Sequence, residues 1–191
     1  MYDKMTIGVL GLQGAFSKHL AMLRNLNVNT ILIRYSDELE KCDGLIFPGG
    51  ESTTMCKLID EMNIRSRIEK FDRPIFGTCA GAILLSTDAG DSRVQTFGKV
   101  PIKTRRNAWG RQLESFISDV RLSFDPEPFK AVFIRAPKLS DPEKDVKILG
   151  TLNGEIVLVQ YQNIILTTFH PELTDDTRIH EYFVKLVEEN K

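Results

Sequence analysis

Cys79 lies in Gly77-Thr78-Cys79-Ala80-Gly81, a G-x-C-x-G pentapeptide set between a short apolar run and a helical one. It is the cysteine counterpart of the nucleophile elbow, a tight strand-to-helix turn that lifts a reactive side chain above a sheet edge. Such a turn strains the backbone and tolerates only small neighbours, which Gly77, Ala80 and Gly81 supply. A helix N-terminus next to the sulfur favours the thiolate, the nucleophilic form. The ordinary alternative is a buried cysteine beside helix-packing glycines. The pentapeptide alone leaves both open.

A base for that nucleophile appears in Phe169-His170-Pro171-Glu172, directly after the apolar run Ile164–Thr168. In an extended chain residues i and i+2 point the same way, so Glu172 can reach one nitrogen of His170 while the other faces a thiol. Pro171 stiffens the arrangement. His19 and His180 fall within expected helices without such neighbours and read as surface or packing residues.

A third segment, Pro48-Gly49-Gly50-Glu51-Ser52, also follows an apolar run. Its glycines turn tightly and present N–H groups, which with the amide of Ala80 suit a developing oxyanion. The Gly49–Gly50 peptide can also turn over at little cost, since neither residue has a Cβ. A plain loop and helix cap is the competing account, with Ser52, Thr53 or Thr54 as the cap. Gly11-Leu12-Gln13-Gly14 lacks the pattern of a phosphate loop and is explained as a strand-to-helix turn.

The elements around these segments alternate in type. Met5–Leu10, Val28–Ile33, Gly44–Phe47 and Pro74–Phe76 read as strands. Between them, Ala15–Leu26 and the stretch after Gly50 have helical spacing, and Ala82–Leu85 continues from the elbow. This β-α-β rhythm predicts a parallel sheet covered on both faces. Ser115–Leu122, Ala131–Arg135, Val146–Leu152, Glu155–Tyr161 and Ile164–Thr168 read as further strands, with a hairpin at Asn153-Gly154. A last helix is expected over Asp175–Glu189. No linker or repeat divides the chain, so residues 1–191 are expected to form one domain.

Bulk properties exclude several classes. The 191 residues are 42% hydrophobic, and 25 Lys plus Arg nearly balance 26 Asp plus Glu. A near-neutral chain has no electrostatic case for nucleic acid or an anionic membrane. No apolar run approaches the ~18 residues of a spanning helix, and no signal peptide is expected. Three cysteines without CxxC spacing argue against a disulfide framework or a metal site, and point to a reducing cytoplasm. Cys42 and Cys56 match no motif.

Together the elbow, the PGGES loop and the late HPE resemble the class I (triad) glutamine amidotransferases. IGVLGLQG (7–14), DGLIFPGGESTT (43–54), FGTCAG (76–81), RNAWGRQ (106–112), FIRAP (133–137) and FHPELT (169–174) narrow the resemblance. They are similar to the glutaminase subunits of pyridoxal 5′-phosphate synthase, over residues 7–187. Ala82, Trp109 and residues 87–103 depart from that pattern. The resemblance implies a flavodoxin-like three-layer α/β/α sandwich with a mostly parallel sheet and extra antiparallel strands. It implies hydrolysis of L-glutamine, with Cys79 as nucleophile, His170 as base and Glu172 orienting His170. Gly49, Gly50, Glu51, Ser52, Ala80, Arg106, Ile134 and Arg135 would bind substrate, one arginine taking its α-carboxylate. It implies no cofactor, and a synthase subunit that receives the ammonia. The alternatives are a glutaminase for another acceptor, disfavoured by RNAWGRQ and FIRAP, and a non-enzymic redox-sensing or chaperone-like protein of the same fold.

Overall fold

The computed structural model describes residues 5–106 and 115–191. Most of the RNAWGRQ segment, including Trp109, lies outside the described residues. The amino-terminal half is wound as expected. Strand β1 (Thr6–Leu10) is followed by helix α1 (Phe16–Asn25), β2 (Asn29–Ile33), a 3-10 turn (Ser36–Lys41) and β3 (Gly44–Phe47). Helices α2 (Ser52–Glu61) and α3 (Arg65–Glu69) lead to β4 (Ile75–Thr78) and α4 (Ala80–Leu85).

The remaining elements are mainly strands: β5 (Ser86–Asp88), β6 (Val100–Arg105), β7 (Ser115–Leu122), β8 (Phe129–Ile134), β9 (Lys138–Ser140), β10 (Lys147–Leu152), β11 (Glu155–Tyr161) and β12 (Ile164–Thr167). A 3-10 turn (Pro171–Leu173) and helix α5 (Arg178–Glu189) complete the chain. The main sheet runs β2-β1-β3-β4-β12-β11-β10-β7-β8. It is parallel from β2 through β12 and antiparallel from β12 to β8. A second sheet, β5-β6-β9, stands apart from it.

The strand alternation explains the layers. On β3, Leu45 and Phe47 join one buried cluster with α2, α3, α4 and the small sheet, whereas Ile46 joins the other. Ile75 and Phe76 on β4 divide in the same way. That second cluster takes in Leu23 of α1 and Ile179 and Phe183 of α5. A parallel sheet buried on both faces must be apolar on both, hence near-continuous runs such as GLIF.

Two expectations need correction. Helix α2 is capped by Glu51 rather than by Ser52, Thr53 or Thr54: its carboxylate accepts from the N–H groups of Thr53 (3.3 Å) and Thr54 (2.7 Å). Glu51 precedes the first helical residue, where an acceptor meets free N–H groups and the positive helix end. His170-Pro171-Glu172 is no extended strand end, because Pro171 opens a 3-10 turn, a position suited to its fixed φ and missing N–H. Of the two readings open for His19 and His180, packing holds, since both are wholly buried. The Asn153-Gly154 hairpin forms as expected, with both residues at positive φ (50° and 86°) joining β10 to β11.

Candidate active site

β3, β4 and β12 are neighbours in the sheet, and each feeds one part of the site from its carboxyl end. That edge is where open α/β sheets place their ligands. At the end of β4, Cys79 adopts φ 49° and ψ −101°, a conformation rare for a residue with a Cβ. Its N–H donates to Thr167 O on β12 (2.8 Å), which holds the elbow down. The flanking glycines are required by packing: a Cβ on Gly81 would strike the Phe47 carbonyl of β3, and one on Gly77 would lie 2.8 Å from Leu85 Cδ1.

At the end of β12, the His170 N–H donates to Val132 O of β8 (2.8 Å). Its Nδ1 lies 2.7 Å from Glu172 Oε1, and its ring faces the same cleft as Cys79. All three side chains are nearly buried. Burial alone would lower the basicity of His170. The influence of the neighbouring Cys79 and Glu172 outweighs it and raises the imidazole above its ordinary value. Glu172 stays below the usual carboxylate range despite burial, because His19 and His170 favour its charge. An imidazole so placed beside a cysteine has the position of a general base for it.

At the end of β3, Gly49 packs directly under the His170 ring, so that a Cβ there would overlap the imidazole. The Gly49 carbonyl accepts from the Ala15 N–H (3.0 Å), leaving the Gly50 N–H on the opposite side of the trans peptide. A cleft of about 350 Å³ opens in front of the cysteine, lined by Gly50, Glu51, Ser52, Cys79, Arg106, Ile134, Arg135 and His170. This is the size of a site for a small molecule.

Most of the residues expected at the site therefore meet there. Gly49 and Glu172 stand behind the lining against His170, and Ala80 is buried at the start of α4. Arg106 is already engaged, with one nitrogen 2.8 Å from Glu51 Oε1 and another 2.7 Å from Asp91 Oδ2. Arg135 sits just beyond β8 at φ 42°, another strained position on the cleft wall. The Ile134 carbonyl lies 3.9 Å from Cys79 Sγ. The Ser52 hydroxyl is buried with no hydrogen-bond partner among the described residues.

Sequence reasoning missed Gln13, Ile83 and Asp91. Gln13 and Ile83 line the cleft, and Gln13 Oε1 accepts from the Glu51 N–H (2.9 Å). The GLQG turn is thus tied to the PGGES loop as well as joining β1 to α1. Asp91, the partner of Arg106, lies in a segment with no motif to draw attention to it.

The model of the SNO glutamine amidotransferase family matches residues 9–189. A curated relative, pyridoxal 5′-phosphate synthase subunit PdxT of Fervidobacterium nodosum, is 44% identical over 97% of this chain and 98% of its own. The protein of the same name from Actinobacillus pleuropneumoniae serotype 3 is 42% identical over 98% of each chain. A crystal structure described as a glutamine amidotransferase superposes with a TM-score of 0.90 at 39% identity, covering 95% of this chain and 98% of that one. A GMP synthase-like protein from Thermoplasma acidophilum shares the fold at 20% identity, with a TM-score of 0.69 over 99% of this chain and 96% of its own. Sequence, architecture and site geometry agree, and the chain belongs to the SNO glutamine amidotransferase family.

Proposed function

We propose that this chain is the glutaminase subunit of a pyridoxal 5′-phosphate synthase, releasing ammonia from L-glutamine for a separate synthase subunit in vitamin B6 biosynthesis. The observation that carries the chemistry is the strained Cys79 in one cleft with an imidazole that Glu172 holds from behind. The pathway rests on near-full-length similarity to PdxT proteins.

In the proposed cycle, the Cys79 thiolate attacks the side-chain amide carbon of glutamine, and the carbonyl oxygen takes up negative charge. The N–H groups of Gly50 and Ala80 receive that oxyanion. His170 gives its proton to the leaving nitrogen, so ammonia departs and a glutamyl thioester remains. A water then attacks the thioester, His170 takes its proton, and glutamate leaves as the thiol is restored. Glu172 keeps its negative charge throughout and stabilises the imidazolium. Arg135 supplies the charge for the substrate α-carboxylate, while Glu51 and Asp91 fix Arg106 at the rim. Ser52 offers its unpaired hydroxyl to a polar ligand.

A reducing cytoplasm is the proposed location, because the reaction needs a free thiol and all three cysteines are unpaired. Among the described residues, no helix is long and apolar enough to cross a membrane. The redox-sensing alternative leaves the His170–Glu172 pair without a use. The two readings separate on treatment with a glutamine-mimicking alkylator, followed by mass spectrometry. Selective labelling of Cys79 supports the glutaminase; oxidation of Cys79 without labelling supports the sensor.

A further inference from the structure

Glu172 uses only one of its oxygens on His170. The other, Oε2, is buried and has no hydrogen bond among the described residues. His19 Nε2 of α1 lies 3.5 Å from it and also 3.2 Å from Thr78 Oγ1 on β4. His19 Nδ1 is in turn 3.0 Å from His180 Nε2 of α5. His19, Thr78 and His180 are fully buried, and both rings meet the Phe76 ring edge-on, at 6.1 and 5.6 Å between centroids. A chain of polar groups thus runs behind the triad, 161 residues apart in sequence at its His19–His180 contact.

Hydrogen-bond direction decides what this chain does. Each neutral imidazole carries one N–H and one bare nitrogen. Suppose that His180 carries its proton on Nε2 and donates to His19 Nδ1. His19 then carries its own proton on Nε2, facing the Glu172 carboxylate and the Thr78 hydroxyl. The single unsatisfied ring atom is a bare lone pair, His180 Nδ1. The reverse arrangement would bury an orphaned N–H at His180 Nδ1 and aim the lone pair of His19 at a carboxylate oxygen. Burying an unpaired donor and facing a lone pair with an anion both cost free energy, so the first arrangement wins.

We propose that His19, fixed as the Nε2–H tautomer by His180, is a positioning residue that holds the free oxygen of Glu172 and so keeps the carboxylate aligned on His170. This rests on the glutaminase reading of the triad. The pair acts as neutral dipoles. Burial, against the charge of Glu172, lowers the basicity of His19, and burial together with His19 drives His180 down to about 3. Neutrality matters because a cationic His19 would compete with the His170 imidazolium for the charge of Glu172. A neutral N–H steers the carboxylate and leaves its charge for His170.

The test has two arms. In the first, ¹⁵N NMR of the histidine rings in the full-length chain at neutral pH reads the tautomers directly. The proton is expected on Nε2 of both His19 and His180; an Nδ1 proton on His19, or a doubly protonated ring, overturns the proposal. In the second, ammonia release from glutamine is followed with the synthase subunit present. His19→Leu is expected to lower kcat by about 10- to 100-fold, the usual effect of removing an outer partner of a functional group, with KM little changed. His19→Gln, which restores an N–H near the position of Nε2, is expected to recover most of that loss. A His19→Leu enzyme with parental kcat, or a His19→Gln enzyme no better than His19→Leu, overturns the proposal. If the variants do not fold, the tautomers of the parent decide. If the parent chain itself releases no ammonia, the glutaminase reading fails, and the NMR arm still decides whether His19 faces Glu172 with a proton.

Discussion

Cys79 meets His170 in this fold because the chain tolerates a strained residue at the end of β4, where φ is +49°. A strained cysteine held by small neighbours and aimed into a cleft is a functional arrangement first and a packing arrangement second. Two predictions belong at this scale. Glu172→Gln keeps the shape of the side chain but removes the charge that stabilises imidazolium. It is expected to lower kcat by about 10²–10⁴-fold, with His170→Ala at least as severe. Steady-state ammonia release checks both, and a Glu172→Gln enzyme as active as the parent would remove Glu172 from the triad. Arg135→Ala is expected to act mainly on binding. Loss of one charge-assisted hydrogen bond corresponds to a rise in KM of about 10- to 100-fold, read from the glutamine dependence of the rate. A change confined to kcat would instead place Arg135 with the reacting atoms.

The three residues proposed as a triad were legible because each belongs to a short motif with its own geometric logic. His19 and His180 were not. A histidine inside a helix carries no local sign of its partner, and these two meet only once α1 and α5 lie side by side on the sheet. Glu51 was legible as a cleft residue, but its capping role was hidden by three hydroxyl residues that follow it and can each cap a helix.

Among the elements, the strands of the main sheet were the easiest to read, since GLIF and its like are apolar on both faces. β6 escaped notice. Its buried positions Val100, Ile102 and Thr104 alternate properly, but Pro101 interrupts the run and demotes it as a strand. Proline is tolerated there because β9 pairs only with Lys103–Arg105 and the β5 pairing skips irregularly from Val100 to Lys103. β5 and β9 have three residues each and were too short to show a period. The close approach of α4 to β3 gives a prediction at this scale. Gly81→Ala would drive a methyl group into the Phe47 carbonyl and is expected to destabilise the fold by about 1–3 kcal/mol. The midpoint of urea unfolding measures this, and an unchanged midpoint would show that α4 can shift without cost.

The two sheets share one continuous buried cluster on the α2–α4 side, with Val100 and Ile102 of the small sheet packed in it alongside Phe47 and Ile75 of the large one. We therefore propose that residues 1–191 unfold as a single domain. Circular dichroism and intrinsic fluorescence are expected to give coincident urea transitions; two separated transitions would divide the chain. The same unity bears on control by a partner. The GLQG turn grips the PGGES loop through Ala15 N–H to Gly49 O and Glu51 N–H to Gln13 Oε1. This grip holds the Gly50 N–H on the side away from the turn, so a partner that clamps the turn favours the oxyanion donor over the turned-over peptide. One oxyanion donor changes the rate by about 10²–10³-fold.

The measurement that bears most directly on the whole account is ammonia release from L-glutamine, followed across a titration of the synthase subunit for the parent chain and for Cys79→Ala. The parent is expected to be slow alone and to rise to a plateau about 10²–10³-fold higher as the partner binds, the effect of one oxyanion donor. Cys79→Ala is expected to bind the partner and stay inactive. Ammonia release by Cys79→Ala at the parental rate would contradict the assignment of Cys79 as nucleophile, on which every other step of the mechanism depends.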